Sequence, residues 1–136
     1  MPLMEWTERL SVGVTRFDDE HKKLVALINA LFDAVQAGRG REALGKTLDE
    51  LVMYTQSHFI NEELALAHSS YPHLDTHRSE HAKLARQVID IQQKYHAGAS
   101  TMLSMEVMSF LKAWLVKHIQ GTDQKYAPFL RDQAQT

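Results

Sequence analysis

The chain has 136 residues, of which 44% are hydrophobic and 24% charged, enough apolar content for one domain with a real core. With 15 basic against 17 acidic residues and no basic block, nothing marks nucleic acid or an anionic membrane surface as a partner. Cysteine is absent, which excludes disulfides, thiolate metal sites and thiol catalysis; no apolar run reaches the length of a membrane span, and Met1 to Gly13 lacks the pattern of a signal peptide, so a cytoplasmic chain is expected. The composition has one anomaly, its eight histidines.

Residues 1–17 carry no helical period and read as an irregular N-terminal arm. From Asp18 to Ala37 the residues Leu24, Val25, Ile28, Leu31, Phe32 and Val35 recur at steps of three and four, an amphipathic helix with Asp18, Asp19 and Glu20 in its first turn. After Ala37-Gly38-Arg39-Gly40, a second helix is predicted from Arg41 to Ala67; its stripe of Leu44, Leu48, Leu51 and Val52 continues through His58 and Glu62. After Ser69-Ser70-Tyr71-Pro72, a third runs from Leu74 to Tyr95 with Leu74, His77, His81, Leu84, Val88, Ile91 and Tyr95 on one face. Beyond His96-Ala97-Gly98-Ala99-Ser100, a fourth runs from Thr101 to Gln120 on Leu103, Val107, Phe110, Leu111, Trp114 and His118, leaving residues 122–136 as a tail. No strand alternation is present, and short connections favour antiparallel neighbours. The expectation is an all-α, up-down-up-down four-helix bundle over about residues 18–121.

His21, His58, Glu62, His77, His81 and His118 fall on stripes that should be core, where an unpartnered imidazole or carboxylate costs a few kcal/mol. In an antiparallel bundle these positions share one end. His58 with Glu62, and His77 with His81, are i,i+4 pairs about 40° apart around a helix, so each pair can grip one centre. Asp123 stands five residues after His118, which a regular helix would turn away; Gly121 between them is where the helix should loosen and let Asp123 swing inward. Seven candidate ligands, His21, His58, Glu62, His77, His81, His118 and Asp123, exceed both the four of tetrahedral zinc and the six of one octahedral ion, so two metals are implied. The imidazole-rich set suits iron, with manganese, cobalt or zinc open on chemistry alone. A single His-x-x-x-His is a weak signal; the conjunction of pairs on two helices with single ligands on the other two is specific.

These residues resemble the hemerythrin family, in particular its single-domain bacterial members. The matching pieces are Val12-Gly13-Val14 through Asp18 and His21, His58-Phe59-x-x-Glu62-Glu63, Tyr71-Pro72, His77-x-x-Glu80-His81, and Trp114-Leu115-x-x-His118-Ile119-x-x-x-Asp123-x-x-Tyr126. Phe17 and Leu66 depart from the family's common residues without touching ligation. The resemblance implies that His77, His81 and His118 hold one iron, His21 and His58 the other, and that Glu62, Asp123 and an oxo or hydroxo group bridge the pair. One coordination position then stays open, on the His21/His58 iron, for O2 or a small anion such as azide.

Val25, Tyr54, Thr55, Phe59, Trp114 and Leu115 are the candidates for an apolar wall around that position; Leu115 resembles the family's pocket leucine. Trp6 and Tyr126 could cover the metal end or simply pack the arm and tail. His68, His73 and His96 read as surface histidines, and Met102, Met105 and Met108 as core filler. Two functions compete. One is non-enzymatic O2 binding for storage, delivery or sensing. The other is a di-iron oxidase, a peroxide or nitric oxide reductase, or an iron-handling protein, and the Glu-x-x-His pairs of ferritin-like enzymes occur nowhere in this chain.

Overall fold

The computed structural model describes residues 3–38, 41–98, 105–128 and Leu130. An opening 3-10 turn (Glu8–Leu10) precedes helices α1 (Thr15–Gln36), α2 (Arg41–His68), α3 (Leu74–His96) and α4 (Met105–Val116); a π-helical turn (Lys117–Thr122) and a 3-10 turn (Asp123–Lys125) follow. Among the described residues there is no strand, and no helix is long and apolar enough to cross a membrane. Cross-links between helices fix the antiparallel order. Asn61 near the end of α2 donates to Glu20 near the start of α1, while α2 and α3 are tied at both ends, Glu63 to His81 and Asp49 to His96. The all-α four-helix bundle expected from periodicity is the observed fold.

α1 begins at Thr15, three residues before the expected start, because Asp18 does two jobs. It sits in the first turn, and its carboxylate reaches back to accept from Ser11 Oγ at 2.6 Å and from the Val12 amide at 2.8 Å. That clamp ties the arm to the bundle, as does Asn29, which exchanges two hydrogen bonds with the Met4 backbone. The expected residues Thr101 to Ser104, and Met102 among them, lie outside the described residues, as do Arg39, Gly40, Ala99 and Ser100. Of the methionine series, Met108 is fully buried, as core filler should be.

The interior divides into two apolar layers. The larger runs through the bundle from Leu24, Ile28 and Leu31 to Leu48, Leu51, Val88, Leu111, Trp114 and Leu115. A smaller one closes one end: Val12 and Phe17 from the arm and α1, Leu66 and Tyr71 from the α2–α3 turn, and Tyr126, Ala127 and Leu130 beyond α4. Of the residues expected as a tail, Tyr126, Ala127 and Leu130 therefore form part of a lid. The polar core residues lie where these two layers meet.

Each described turn reverses the chain through a left-handed residue, Gly38 after α1 and Gly98 after α3, where glycine has no Cβ to strain. After α2 the same position is held by Ser70, with φ of 57°. Its amide donates to Ala67 O and that of Tyr71 to Leu66 O, a Schellman cap completed by burial of Tyr71 beside Leu66. A non-glycine residue in this conformation carries about 1–2 kcal/mol of strain. Replacing Ser70 with Gly is therefore expected to stabilise the fold by about 1 kcal/mol, less the glycine's greater unfolded-state entropy. A denaturation midpoint that stays put or falls would show that the cap is not strained.

Candidate metal centre

Seven polar side chains are buried at the junction of the layers: His21, His58, Glu62, His77, His81, His118 and Asp123. α1 supplies His21, α2 His58 and Glu62, and α3 His77 and His81, each pair one helical turn apart. His118 and Asp123 come from the π-helical turn and its end, and here the expected loosening is specific. Asp123 N–H donates to His118 O, an i to i+5 bond, so the widened turn stacks Asp123 beneath His118, whereas an α-helix would leave the two about 140° apart. The opening begins at Lys117, ahead of Gly121.

The five imidazole Nε2 atoms converge on two carboxylates. His21 Nε2 and His118 Nε2 each lie 2.8 Å from Asp123 Oδ2, and His77 Nε2 lies 3.2 Å from Oδ1. Glu62 Oε1 is 3.2 Å from His58 Nε2, 3.1 Å from His81 Nε2 and 3.4 Å from His118 Nε2; its Oε2 is 3.3 Å from His21 Nε2. Close as they are, several are not aligned as hydrogen bonds: Nε2 of His21, His77 and His81, Glu62 Oε1 and both Asp123 oxygens have no hydrogen-bonding partner although all are buried. Donor atoms that crowd together without bonding one another point at shared space, and buried polar atoms in that state require a charged guest.

The candidate ligand atoms fall into two overlapping groups, each within 4.8 Å of one another. His21, His58, Glu62, His118 and Asp123 form one; Glu62, His77, His81 and Asp123 form the other. Both carboxylates belong to both groups. The resemblance assigns His118 to the His77/His81 side, whereas these distances group it with His21 and His58. Its ring centroid nevertheless lies 5.2 Å from that of His81 and 5.5 Å from that of His58, so it stands between the two halves.

Around this set lies a shell of three residues, of which Tyr126 alone was a sequence candidate, as a cover for the metal end. Glu20 Oε1 is 2.6 Å from His58 Nδ1, Glu63 Oε2 is 3.0 Å from His81 Nδ1, and Tyr126 Oη donates to Glu62 Oε2 at 2.5 Å. Glu20 and Glu63 each follow or precede a ligand in sequence and look like ordinary helix-surface acids, so only the packing reveals them. Burial first, then Asp123 and Glu62, raises the Tyr126 hydroxyl well above its usual range, which keeps it a donor. Trp6, by contrast, packs partly buried against the main apolar layer with Lys22 Nζ 5.3 Å above its ring.

The apolar candidates are also placed. Val25, Phe59, Trp114 and Leu115 are buried in the larger layer and Tyr54 packs against it. Phe59 stacks on His81, centroids 4.0 Å apart and 6° from parallel, and so covers that half of the site most directly. Trp114 Nε1 is spent on Leu84 O and Thr55 Oγ1 on Leu51 O, which leaves both as wall rather than as polar contacts. From the other side Tyr126 lies 5.4 Å from His77 and Phe17 6.3 Å from His58. His68 and His73 are exposed, and His96 is half exposed with Nε2 2.7 Å from Asp49 Oδ1, remote from the cluster.

Comparison with known proteins agrees with this geometry. The family model described as hemerythrin HHE cation binding domain matches residues 12–130. The chain is 36% identical over 131 residues to bacteriohemerythrin from Methylococcus capsulatus, covering 96% of this chain and 98% of that protein. It is 33% identical over 122 residues to myohemerythrin from Theromyzon tessulatum, covering 90% and 89% respectively. A crystal structure of wild-type hemerythrin superposes with a TM-score of 0.88 at 35% identity, over 95% of this chain and 98% of that one.

Two buried carboxylates set the protonation of the metal-free cluster. Burial alone would lower His58, but Glu62, Glu20 and Asp123 together raise it to about 10; against the same penalty Asp123 and Glu62 raise His118 to about 9. Burial, then repulsion from His81, lowers His77 to about 3. His58 and His118 bind more protons folded than unfolded, so the stability they give is complete below about 6.5 and lost as pH climbs through 9 to 10. His77 has the opposite sign and removes stability as pH falls below about 6.5. Chelated protein is expected to melt at the highest temperature near pH 6.5 and to lose stability on both sides; a midpoint flat from pH 5 to 10 would contradict this. His77→Ala and His81→Ala should lose metal and stability together, whereas His68→Ala and His73→Ala should change neither, as iron analysis and melting will show.

Proposed function

Because the chain belongs to the hemerythrin family and so binds O2 at a non-haem iron centre, we propose that it does so reversibly and without turnover, at a pair of irons. The observation that carries this reading is the pair of overlapping ligand groups sharing Glu62 and Asp123. Seven buried ligands exceed what one ion accepts, and two carboxylates common to both groups suit a bridged pair. In the proposed division His77, His81 and His118 would hold one iron and His21 and His58 the other, with Glu62 and Asp123 available to both. A ferrous pair, when bound, supplies the electrons by which O2 is held.

The protein's share is orientation and exclusion of water. Tyr126 fixes Glu62 from the lid side, and Glu20 and Glu63 fix two rings from outside. The walls are apolar: Val25, Tyr54, Phe59, Trp114 and Leu115 above, with the Thr55 hydroxyl turned to its own helix, and Phe17, Tyr71 and Tyr126 below. Such walls keep bulk water from the bound ligand, which favours release of intact O2 over reduction, and the position that takes O2 would also take azide as a competing anion. An enzymatic alternative would need a route for electrons and protons through these layers.

Purified protein expressed with ample iron is expected to contain two irons per chain, and metal analysis giving one or none would contradict the paired centre. Reduced protein should show a new visible band with one O2 per centre, reversed when O2 is removed. Leu115→Ala should admit water and speed autoxidation severalfold with iron content unchanged. Irreversible O2 consumption in step with an added electron donor would replace the carrier reading with the oxidase one.

A further inference from the structure

We propose that Glu20 and Glu63 are positioning residues, one for each half of the metal centre, and that Glu20 alone governs how the centre holds a small anion. The inference rests on the di-iron reading. His58 and His81 stand in different ligand groups, and each has a carboxylate at its outer nitrogen. Nδ1 of His21 and of His118, by contrast, is buried with no partner. Each carboxylate comes from the preceding helix and from the same turn as a ligand: Glu20 beside His21 on α1 reaches His58 on α2, and Glu63 beside Glu62 on α2 reaches His81 on α3.

With Nε2 turned to the centre, Nδ1 carries the proton and donates it to the carboxylate. This fixes the ring's orientation and tautomer and makes the imidazole a stronger electron donor. The two supports are unequal. Glu20 is 13% exposed, 2.6 Å from its histidine, and braced by a second hydrogen bond from Asn61 Nδ2 at 3.0 Å. Glu63 is 25% exposed and 3.0 Å away, in a solvent-facing cleft between α2 and α3 that Ile60 and Arg78 also line. The Arg16 and Arg78 guanidinium groups beside them, at 3.6 and 3.5 Å, are more than half exposed and offset little of either charge. Glu20 therefore acts more strongly, and it acts on His58, which in the proposed division shares with His21 the iron that keeps an open position.

The test uses the full iron-loaded chain with Glu20→Gln, Glu63→Gln and Glu20→Ala. Glutamine keeps an acceptor for the Nδ1 proton and removes the charge; alanine removes both. We expect both glutamine variants to retain iron and to shift the midpoint potential upward, by up to about tenfold in the equilibrium constant or about 59 mV per electron. Azide, titrated into the ferric protein, should bind about tenfold tighter to Glu20→Gln, because the iron is more acidic and a nearby negative charge is gone, and no differently to Glu63→Gln. Glu20→Ala should lose iron about 10- to 100-fold more readily, a loss that glutamine rescues. Unmoved potentials, equal azide responses in the two glutamine variants, or Glu20→Gln shedding iron like Glu20→Ala would each overturn the proposal. Should wild type fail to bind O2 reversibly while the potential and azide pattern holds, the carrier reading falls and this one stands.

Discussion

Everything else in this molecule is arranged around the cost of burying two carboxylates with five imidazoles at the meeting of two apolar layers. An unpaired charge in such surroundings is prohibitive, and a half-satisfied polar cluster is worse than an apolar core. The metal-free chain compensates by holding protons on His58 and His118, which leaves Glu62 and Asp123 facing cations. Metal ions supply the same compensation better, since they satisfy the atoms that protons leave unpaired. Iron loading and folding are therefore two aspects of one electrostatic requirement.

Meeting that requirement recruits residues from the arm, the helices and the segment after α4. Three helices and the widened turn after α4 deliver the ligands, yet these alone cannot seal the end of a bundle. The seal comes from segments that look incidental: the arm through Val12, the turn residues Leu66 and Tyr71, and the stretch after α4 with Tyr126, Ala127 and Leu130. Tyr126 joins seal to site by bonding a carboxylate, so the lid and the centre hold each other.

The fold was legible because its signals are periodic and repeated: stripes at steps of three and four, and punctuation at three turns. The site was legible for a related reason, since histidine on an apolar stripe breaks the pattern that defines the stripe. What escaped was whatever depends on a neighbour from another helix. Glu20 and Glu63 have the exposure pattern of surface acids until α2 and α3 pack beside them. The start of α1 was misplaced because Asp18 serves the loop before it as well as the helix after it. The loosening between His118 and Asp123 could be anticipated from the chemistry demanded of Asp123, but not its form, a π-helical turn that starts at Lys117.

That widened turn also constrains how the sequence can drift. It holds one more residue per turn than the helix that feeds it, so it acts as a phase shifter between α4 and the lid. Point substitutions on its outer face leave the phase alone. Were the turn wound as an α-helix at its present length, Asp123 would swing off the centre; a chain one residue shorter between His118 and the carboxylate would need no widening, because α-helical winding already sets residues four apart about 40° from one another. Length and winding in this stretch are thus coupled, and a related chain with a one-residue gap there should show a plain α-helical turn in place of the widened one, with its carboxylate still facing the centre.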